Sequence, residues 1–317
     1  MLANNFHAIE AVQTESLTSA EWLEQRRNGI GGSDVAAICG LSKWRSPYHV
    51  YLEKKGDAPT IEAGEAIEWG HRLEPLIADK FASTHPEWAI TEKKVIYCHP
   101  KQHWATGNLD RMIICPFRGR GILEIKTASE YLKQDWDDGN IPDYYYVQLQ
   151  WYLYVTGLQW GYFATLIGGN KYREYEVLRD EDMIQELVRI TEDFWINYVL
   201  TGNAPPIDGS DATSQLLSKI YPNASNEEPI PLQGEELIQP YLHLKQVSKE
   251  IQEELNLIEN HFKSQLAECS IGYISDYQIK WTNRTRIGVD SKLLKEKYPD
   301  IYEQCLKQTA YRHFSLK

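Results

Sequence analysis

The stretch Gly121-Ile122-Leu123-Glu124-Ile125-Lys126-Thr127 constrains the fold more than any other part of the chain. It is a short apolar run of the kind that forms a buried strand, yet two charges interrupt it. Side chains alternate faces along a strand, so Glu124 and Lys126 project to one side and Ile125 to the other, into the core. Two charged groups on one face of an apolar strand are costly unless they pair, reach water or hold a cation. Taken alone, Glu-x-Lys is a common pattern that an ion pair on a solvated sheet face would satisfy.

The neighbouring sequence supplies the setting. The first two-thirds of the 317 residues alternate helical and strand patterns, which predicts an α/β (α+β) domain with a central mixed sheet flanked by helices. Helices are expected from Ser19, capped by Thr18 or Ser19, at Val35–Ile38 after a glycine-rich turn capped by Ser33 or Asp34, and over Gly64–Ser83. Strands are expected at Lys94–Cys98, Ala105–Cys115 and Gly121–Thr127, then a helix at Tyr144–Thr156 stopped by Gly157. A hairpin at Trp160–Ile167 and Tyr172–Leu178 and a helix from Glu181 to about Leu200 complete this domain, residues 1–202. Residues 203–234, rich in Pro, Ser, Asn, Asp and Gly, read as a linker with a short helical insert near Leu216. Residues 235–317 then form an appendage. Leu237, Tyr241, Leu244, Ile251, Leu255, Ile258, Phe262 and Leu266 recur at three- and four-residue steps, which predicts one long amphipathic helix. Strand patterns at Tyr273–Trp281 and Tyr311–Leu316 flank a helix at Ser291–Lys307, a small α+β module.

A second acid enters from Gly107-Asn108-Leu109-Asp110, fourteen residues before Glu124, at the end of the preceding strand. Upstream, Trp69-Gly70-His71-Arg72-Leu73-Glu74 places another acid on a helix. Downstream, the helix carrying Gln148 and Gln150 sets Gln and Tyr residues at i and i+4 on one face. Composition bears on the partner. A formal net charge of −12 argues against a nucleic-acid surface, but a site that gathers carboxylates for metal ions is acidic until the cations arrive. Arg26-Arg27, Lys43-Trp44-Arg45 and Arg118-Gly119-Arg120 are short basic clusters. The five scattered cysteines contain no Cys-x-x-Cys, so neither a disulfide framework nor structural zinc is expected. No run approaches the roughly 20 apolar residues of a bilayer span, and Met1–Ser16 does not read as a signal peptide. A cytoplasmic protein with no membrane partner is the expectation.

Together, Trp22-x-x-x-Arg26 leading into Gly29-Ile30-Gly31-Gly32-Ser33-Asp34, Trp69-Gly70-x-x-x-Glu74, Gly107-Asn108-Leu109-Asp110, Glu124-Ile125-Lys126 and Gln148-x-Gln150-x-x-x-Tyr154 resemble the PD-(D/E)xK nuclease superfamily. Within it they resemble the YqaJ-type viral recombinases related to phage lambda exonuclease, over about Trp22 to Gly202. The resemblance implies a 5′→3′ double-strand DNA exonuclease that leaves 3′ single-stranded tails. It also implies a phage annealing protein as partner, a ring-shaped homo-oligomer, commonly a trimer, and a phage or prophage gene in a bacterial cytoplasm. It assigns Arg26 and Ser33 to the DNA 5′-phosphate. Asn108 stands where relatives often have a phosphate-binding Ser.

The chemistry fits such an assignment. Mg²⁺, with Mn²⁺ as a substitute, takes hard oxygen ligands, so Asp110, Glu124 and the Ile125 carbonyl would form its protein shell, with Glu74 holding water or a second ion. Lys126 would orient or deprotonate the nucleophile, its proton affinity lowered by the cations. Gln150, in preference to Gln148, would bind the phosphate. Two other classes stay open: a RecB-like or endonucleolytic member of the superfamily, and a DNA-binding module that has kept the fold without catalysis. His99 and His103, four residues apart, are weak zinc candidates. His71 reads as a helix-surface histidine, and Arg111 as a strand residue packed outward or on DNA. The Lys43–Arg45 loop is a candidate DNA contact.

Overall fold

The computed structural model describes residues 6–59, 64–224 and 228–316. The chain divides into two compact units, Met1–Pro222 and Asn223–Lys317. In chain order the first unit contains β1 (Ile9–Gln13), α1 (Ser19–Arg27), α2 (Gly32–Ile38), α3 (Pro47–Lys55), α4 (Glu65–Thr84), β2 (Ala89–Thr91), β3 (Val95–Cys98) and β4 (Thr106–Gly107). It continues with β5 (Arg111–Cys115), β6 (Gly119–Ala128), α5 (Asp143–Thr156), β7 (Trp160–Ile167), β8 (Lys171–Leu178), α6 (Glu181–Phe194) and α7 (Asp211–Ile220). Thr18 caps α1 in a capping box: its hydroxyl accepts from the Glu21 N–H, and the Glu21 carboxylate accepts from the Thr18 N–H at 2.8 Å.

The central sheet runs β2-β5-β6-β7-β8 and is mixed, as expected: β6 and β7 are parallel and every other pair antiparallel. A parallel pair needs a crossover, and α5 provides it. Both faces of the sheet are covered. Ile122 packs into the core on the α5 side, whereas Leu123 and Ile125 pack with Ile77 and Phe81 of α4 on the other. The strict alternation along β6 therefore sends Glu124 and Lys126 under α5 rather than to a solvated face. Gly157, at φ +76°, ends α5 in the left-handed conformation that glycine adopts without strain.

The single strand expected over Ala105–Cys115 is broken. β4 pairs with β3 in a separate sheet, β1-β3-β4, while β5 joins the central one. Asn108, Leu109 and Asp110 form the step between the two sheets, so Asp110 sits where the chain changes partners. β1, α3 and β2 went unread because they are short and carry weak periodicity. The helix after Glu181 is α-helical to Phe194 and finishes in a π-helical turn, Trp195–Leu200. The stretch read as a linker is divided: α7 buries Ala212, Thr213 and Leu216 within the first unit, which extends through Pro222.

The second unit contains α8 (Ile238–Leu266), a hairpin of β9 (Ile271–Ile274) and β10 (Tyr277–Lys280), then α9 (Ser291–Lys297) and α10 (Pro299–Gln304). The helix expected at Ser291–Lys307 is interrupted because Tyr298 precedes a proline and is driven out of helical geometry, to φ −139° and ψ 62°. Tyr311–Leu316 is not a strand. Among the described residues no helix is long and apolar enough to cross a membrane.

Candidate active site

The step at Asp110 and the middle of β6 open onto one cavity of about 210 Å³, whose walls include Arg26, Ser33, Asn108, Asp110, Glu124, Lys126, Gln148 and Tyr152. Segments far apart in the chain are thus gathered at a single point. The Asp110 Oδ2 accepts from the Ile125 N–H at 2.7 Å, which fixes the carboxylate beside β6. Glu124 is only 2% exposed. Its Oε1 accepts from Lys126 Nζ at 2.6 Å and from Gln148 Nε2 at 2.7 Å, while its Oε2 is buried and has no hydrogen-bond partner. Lys126 also lies over the Tyr145 ring, 4.9 Å from its centroid.

The electrostatics follow from burial. Desolvation, with the Asp110 charge adding to it, pushes the Glu124 carboxyl up to about 8 against the pull of Lys126. Desolvation likewise raises Asp110, opposed chiefly by Lys126. Burial disfavours the Lys126 ammonium, but the Glu124 and Asp110 carboxylates outweigh it, and its proton is held more tightly than in water. Without a metal, Lys126 is thus a firmly protonated partner, the reverse of the lowered proton affinity expected beside cations. Two acids and one ammonium leave this corner short of positive charge.

Not every expected residue arrives. Gln150 is fully buried on another side of α5, where its Nε2 donates to the Leu178 carbonyl and its Oε1 accepts from the Asp180 N–H. Helical residues two positions apart stand about 200° apart around the axis, so Gln148 and Gln150 cannot both face the cavity. Gln148 does, and its amide also donates to the Tyr152 hydroxyl at 3.1 Å. Glu74 does not line the cavity. Its Oε1 accepts from Arg111 Nη1 at 2.7 Å, yet it is near enough to raise both Asp110 and Glu124. Arg111 is buried rather than outward or on DNA, tied to Glu74 and to the Asp110 carbonyl. Ile125 contributes its N–H to Asp110.

Arg26 and Ser33 line the same cavity. Arg26 Nη2 donates to Ser33 Oγ at 3.0 Å and to Asp34 Oδ1 at 3.2 Å, and the guanidinium lies over Trp22. Of the paired glycines, Gly32 has a steric role here: a Cβ on it would meet the Tyr152 ring at 2.5 Å. The sequence marks Asp34 only as a helix cap and Tyr145 and Tyr152 only as helix aromatics, and does not show the cation cluster around Asp34 or the contacts of the two tyrosines with Lys126 and Gln148. Tyr152, four residues after Gln148, was the one with a usable signal.

Among the described residues no group of three or more His, Cys, Asp or Glu side chains forms a ready-made metal cage. Two carboxylates with waters are nevertheless the usual protein share of a Mg²⁺ site, and the unpartnered Glu124 Oε2 suits that role. His99 instead stacks on Tyr154, and burial pushes it down to about 4. His103 lies 3.8 Å from the Cys98 Sγ, and His71 is exposed on α4. In the Lys43–Arg45 loop, Trp44 is exposed and packs edge-on against Tyr144.

The family model of the YqaJ-like viral recombinase domain matches residues 21–159, which carry all of these cavity residues. The uncharacterized protein YqaJ of Bacillus subtilis (strain 168) is 38% identical over 310 residues, covering 96% of each chain. Among solved structures, an alkaline exonuclease from Laribacter hongkongensis matches at 20% identity with a TM-score of 0.49, over 58% of this chain and 94% of its own. A phage related exonuclease from Haemophilus somnus 129PT matches at 14% identity and a TM-score of 0.39, over 55% and 96%.

Proposed function

Because the chain belongs to the YqaJ-like viral recombinase family, we propose that it is a divalent-metal-dependent nuclease that degrades duplex DNA from 5′-phosphorylated ends, leaving 3′ single-stranded tails. The observation that carries this reading is the cavity itself, which Asp110, Glu124 and Lys126 line together with Arg26 and Ser33. Asp110 and Glu124 would hold Mg²⁺, or Mn²⁺ in its place, and the ion would offset the charge that develops on the phosphate oxygens.

The chain's own residues have separable tasks. Gln148 steadies Glu124 through its Oε1 and leaves Oε2 free for a ligand. Lys126, held at 2.6 Å from Glu124, is placed to orient a water or a phosphate oxygen as a hydrogen-bond donor. Should a cation occupy the carboxylates, their hold on the Lys126 proton weakens, and proton transfer from the nucleophile becomes accessible. Arg26 and Ser33 offer donors to a terminal phosphate. Glu74, neutralised by Arg111, adds negative potential from the margin.

The test is digestion of linear duplexes bearing 5′-phosphate or 5′-hydroxyl ends, in Mg²⁺ or EDTA, beside Lys126→Ala. The expected result is Mg²⁺-dependent loss of duplex from phosphorylated ends and almost none by the variant. Equal degradation by both proteins, or none by either, removes the catalytic reading. Comparable cutting of closed circular DNA replaces it with an endonuclease.

A further inference from the structure

A second buried cluster adjoins the cavity, and of its members only Arg26 has a part in the chemistry above. Asp34, fully buried on α2, is its centre. Its Oδ1 accepts from Arg26 Nη2 at 3.2 Å and Arg45 Nη2 at 2.8 Å. Its Oδ2 accepts from Lys54 Nζ at 2.6 Å and the Gly31 N–H at 3.0 Å. Lys54, itself buried, also donates to the Arg26 carbonyl at 2.9 Å, so one ammonium grips both the backbone of Arg26 and its counter-ion. Arg45 pairs in addition with Glu53.

An acid that merely capped α2 would need the Gly31 contact and no cations. Here three cations share two carboxylates, and His49, the other titratable group at Glu53, is held toward its neutral form by burial. An unbalanced buried charge is expensive unless a further partner completes it. Arg45 and Lys54 are largely covered, at 18% and 2% side-chain exposure, whereas Arg26 is 29% exposed and lines this cavity as well as a second one of about 250 Å³, which Glu53 and Lys54 also border. The surplus positive charge is therefore presented at Arg26, beside the Ser33 hydroxyl.

We propose that Asp34 is a positioning residue for a terminal phosphate: with Lys54 it locks Arg26 and Ser33 into the cavity before substrate arrives, so that a phosphate dianion is the missing partner of the cluster. This rests on the reading that phosphorylated DNA ends bind at Arg26. Asp34 touches no substrate, and its effect passes through the Arg26 guanidinium. A preset guanidinium loses little freedom on binding, so the gain appears in capture of the end rather than in the bond-breaking step.

The experiment compares wild type, Arg26→Gln, Asp34→Asn and the double variant Asp34→Asn/Lys54→Met, in which the buried ammonium is removed with the charge that held it. Folding is checked by circular dichroism and thermal melts. The readouts are KM for ends against kcat, and the ratio of rates on 5′-phosphate and 5′-hydroxyl duplexes. The expected result for the folded Asp34 variants is a KM for phosphorylated ends raised about tenfold or more, with kcat little changed. Their end preference should collapse to that of Arg26→Gln. A folded double variant that keeps the wild-type KM and preference overturns the proposal. One that fails to fold makes Asp34 a structural residue and overturns it equally. If wild type itself ignores the 5′ group, the end-binding reading fails first and takes the proposal with it; if wild type discriminates and the variants do too, only the role of Asp34 is lost.

Discussion

In the cavity Asp110 and Glu124 share a single cation, Lys126; in the cluster that reaches it through Arg26, the cations Arg26, Arg45 and Lys54 share Asp34 and Glu53. Both clusters are largely buried, and each is out of balance by one charge of opposite sign. Folding alone does not favour such arrangements, since apolar side chains of similar size would fill the space at lower cost. The acidic cluster responds by binding protons more tightly, with Glu124 pushed up to about 8, while Asp34 is held far below the ordinary carboxylate range because its three cations outweigh its burial. An acid that holds a proton where it should be ionised lacks a cation. An acid that stays ionised in the interior already has more than enough. The contrast is what the proposed function uses: the first cluster would take a cation and the second an anion.

The largest expected effect breaks the acidic cluster. Asp110→Asn should lower the rate of DNA degradation by on the order of 10²–10³-fold with little change in thermal stability, whereas Lys126→Ala should lower the rate comparably and also destabilise, because it leaves the buried Glu124 carboxyl without its cation; a melt beside a rate assay separates the two effects. Next is pH. The raised Glu124 value gives a stability contribution that is fully present below the unfolded value of about 4.3 and is lost as pH rises through about 8. The metal-free protein should accordingly melt at lower temperature as pH climbs through that window. Lys126, raised above its unfolded value, loses its contribution only in more alkaline solution. Because an ion must displace the Glu124 proton, Mg²⁺ affinity measured calorimetrically should rise about tenfold per pH unit up to about 8. Glu124→Gln should flatten both dependences; an unchanged slope in that variant would sink the assignment.

A finer cut distinguishes two glutamines on one helix. Gln148→Ala removes a donor to Glu124 and should slow the reaction by about tenfold. Gln150→Ala strands the Leu178 carbonyl and the Asp180 N–H and should cost about 1–3 kcal/mol of stability, leaving the rate of the folded enzyme intact. The opposite pattern would restore Gln150 to the site. Smallest is Tyr145→Leu, which deletes the ring beneath Lys126 and should cost about 0.5–1 kcal/mol, a few-fold in rate.

A second contrast concerns the two units. The first has cores on both faces of its sheet, whereas in the second, among the described residues, only Leu266 is buried. Along α8, Leu244, Ile251, Leu255 and Ile258 remain exposed. The amphipathic spacing of this helix was legible in the sequence. Periodicity reports that a face is apolar, however, and does not say what covers it.

Glu124 and Lys126 could be placed together from the chain because strand alternation is local: residues two apart share a face wherever the strand packs; Asp110, in the step before β5, meets them through the hydrogen bond it accepts from the Ile125 N–H. The resemblance carried Arg26, Ser33 and Asn108 to the same cavity. Gln148 could not be separated from Gln150 in this way, since the face of a helix that meets a site depends on which face packs against its neighbours. The break at Asn108–Asp110 was hidden for a related reason, as continuous apolar sequence does not record a change of pairing partner between two sheets.

What the sequence by itself determined, then, was a mixed α+β domain with Glu124 and Lys126 on one face of a strand, because that relation arises from spacing along one segment. Tertiary structure alone decided that α5 buries them, that Glu124 keeps an unpartnered oxygen, and that Asp34 collects cations 8, 11 and 20 positions away. Charge balance in a folded interior is summed over neighbours in space, and no spacing rule along the chain contains that sum.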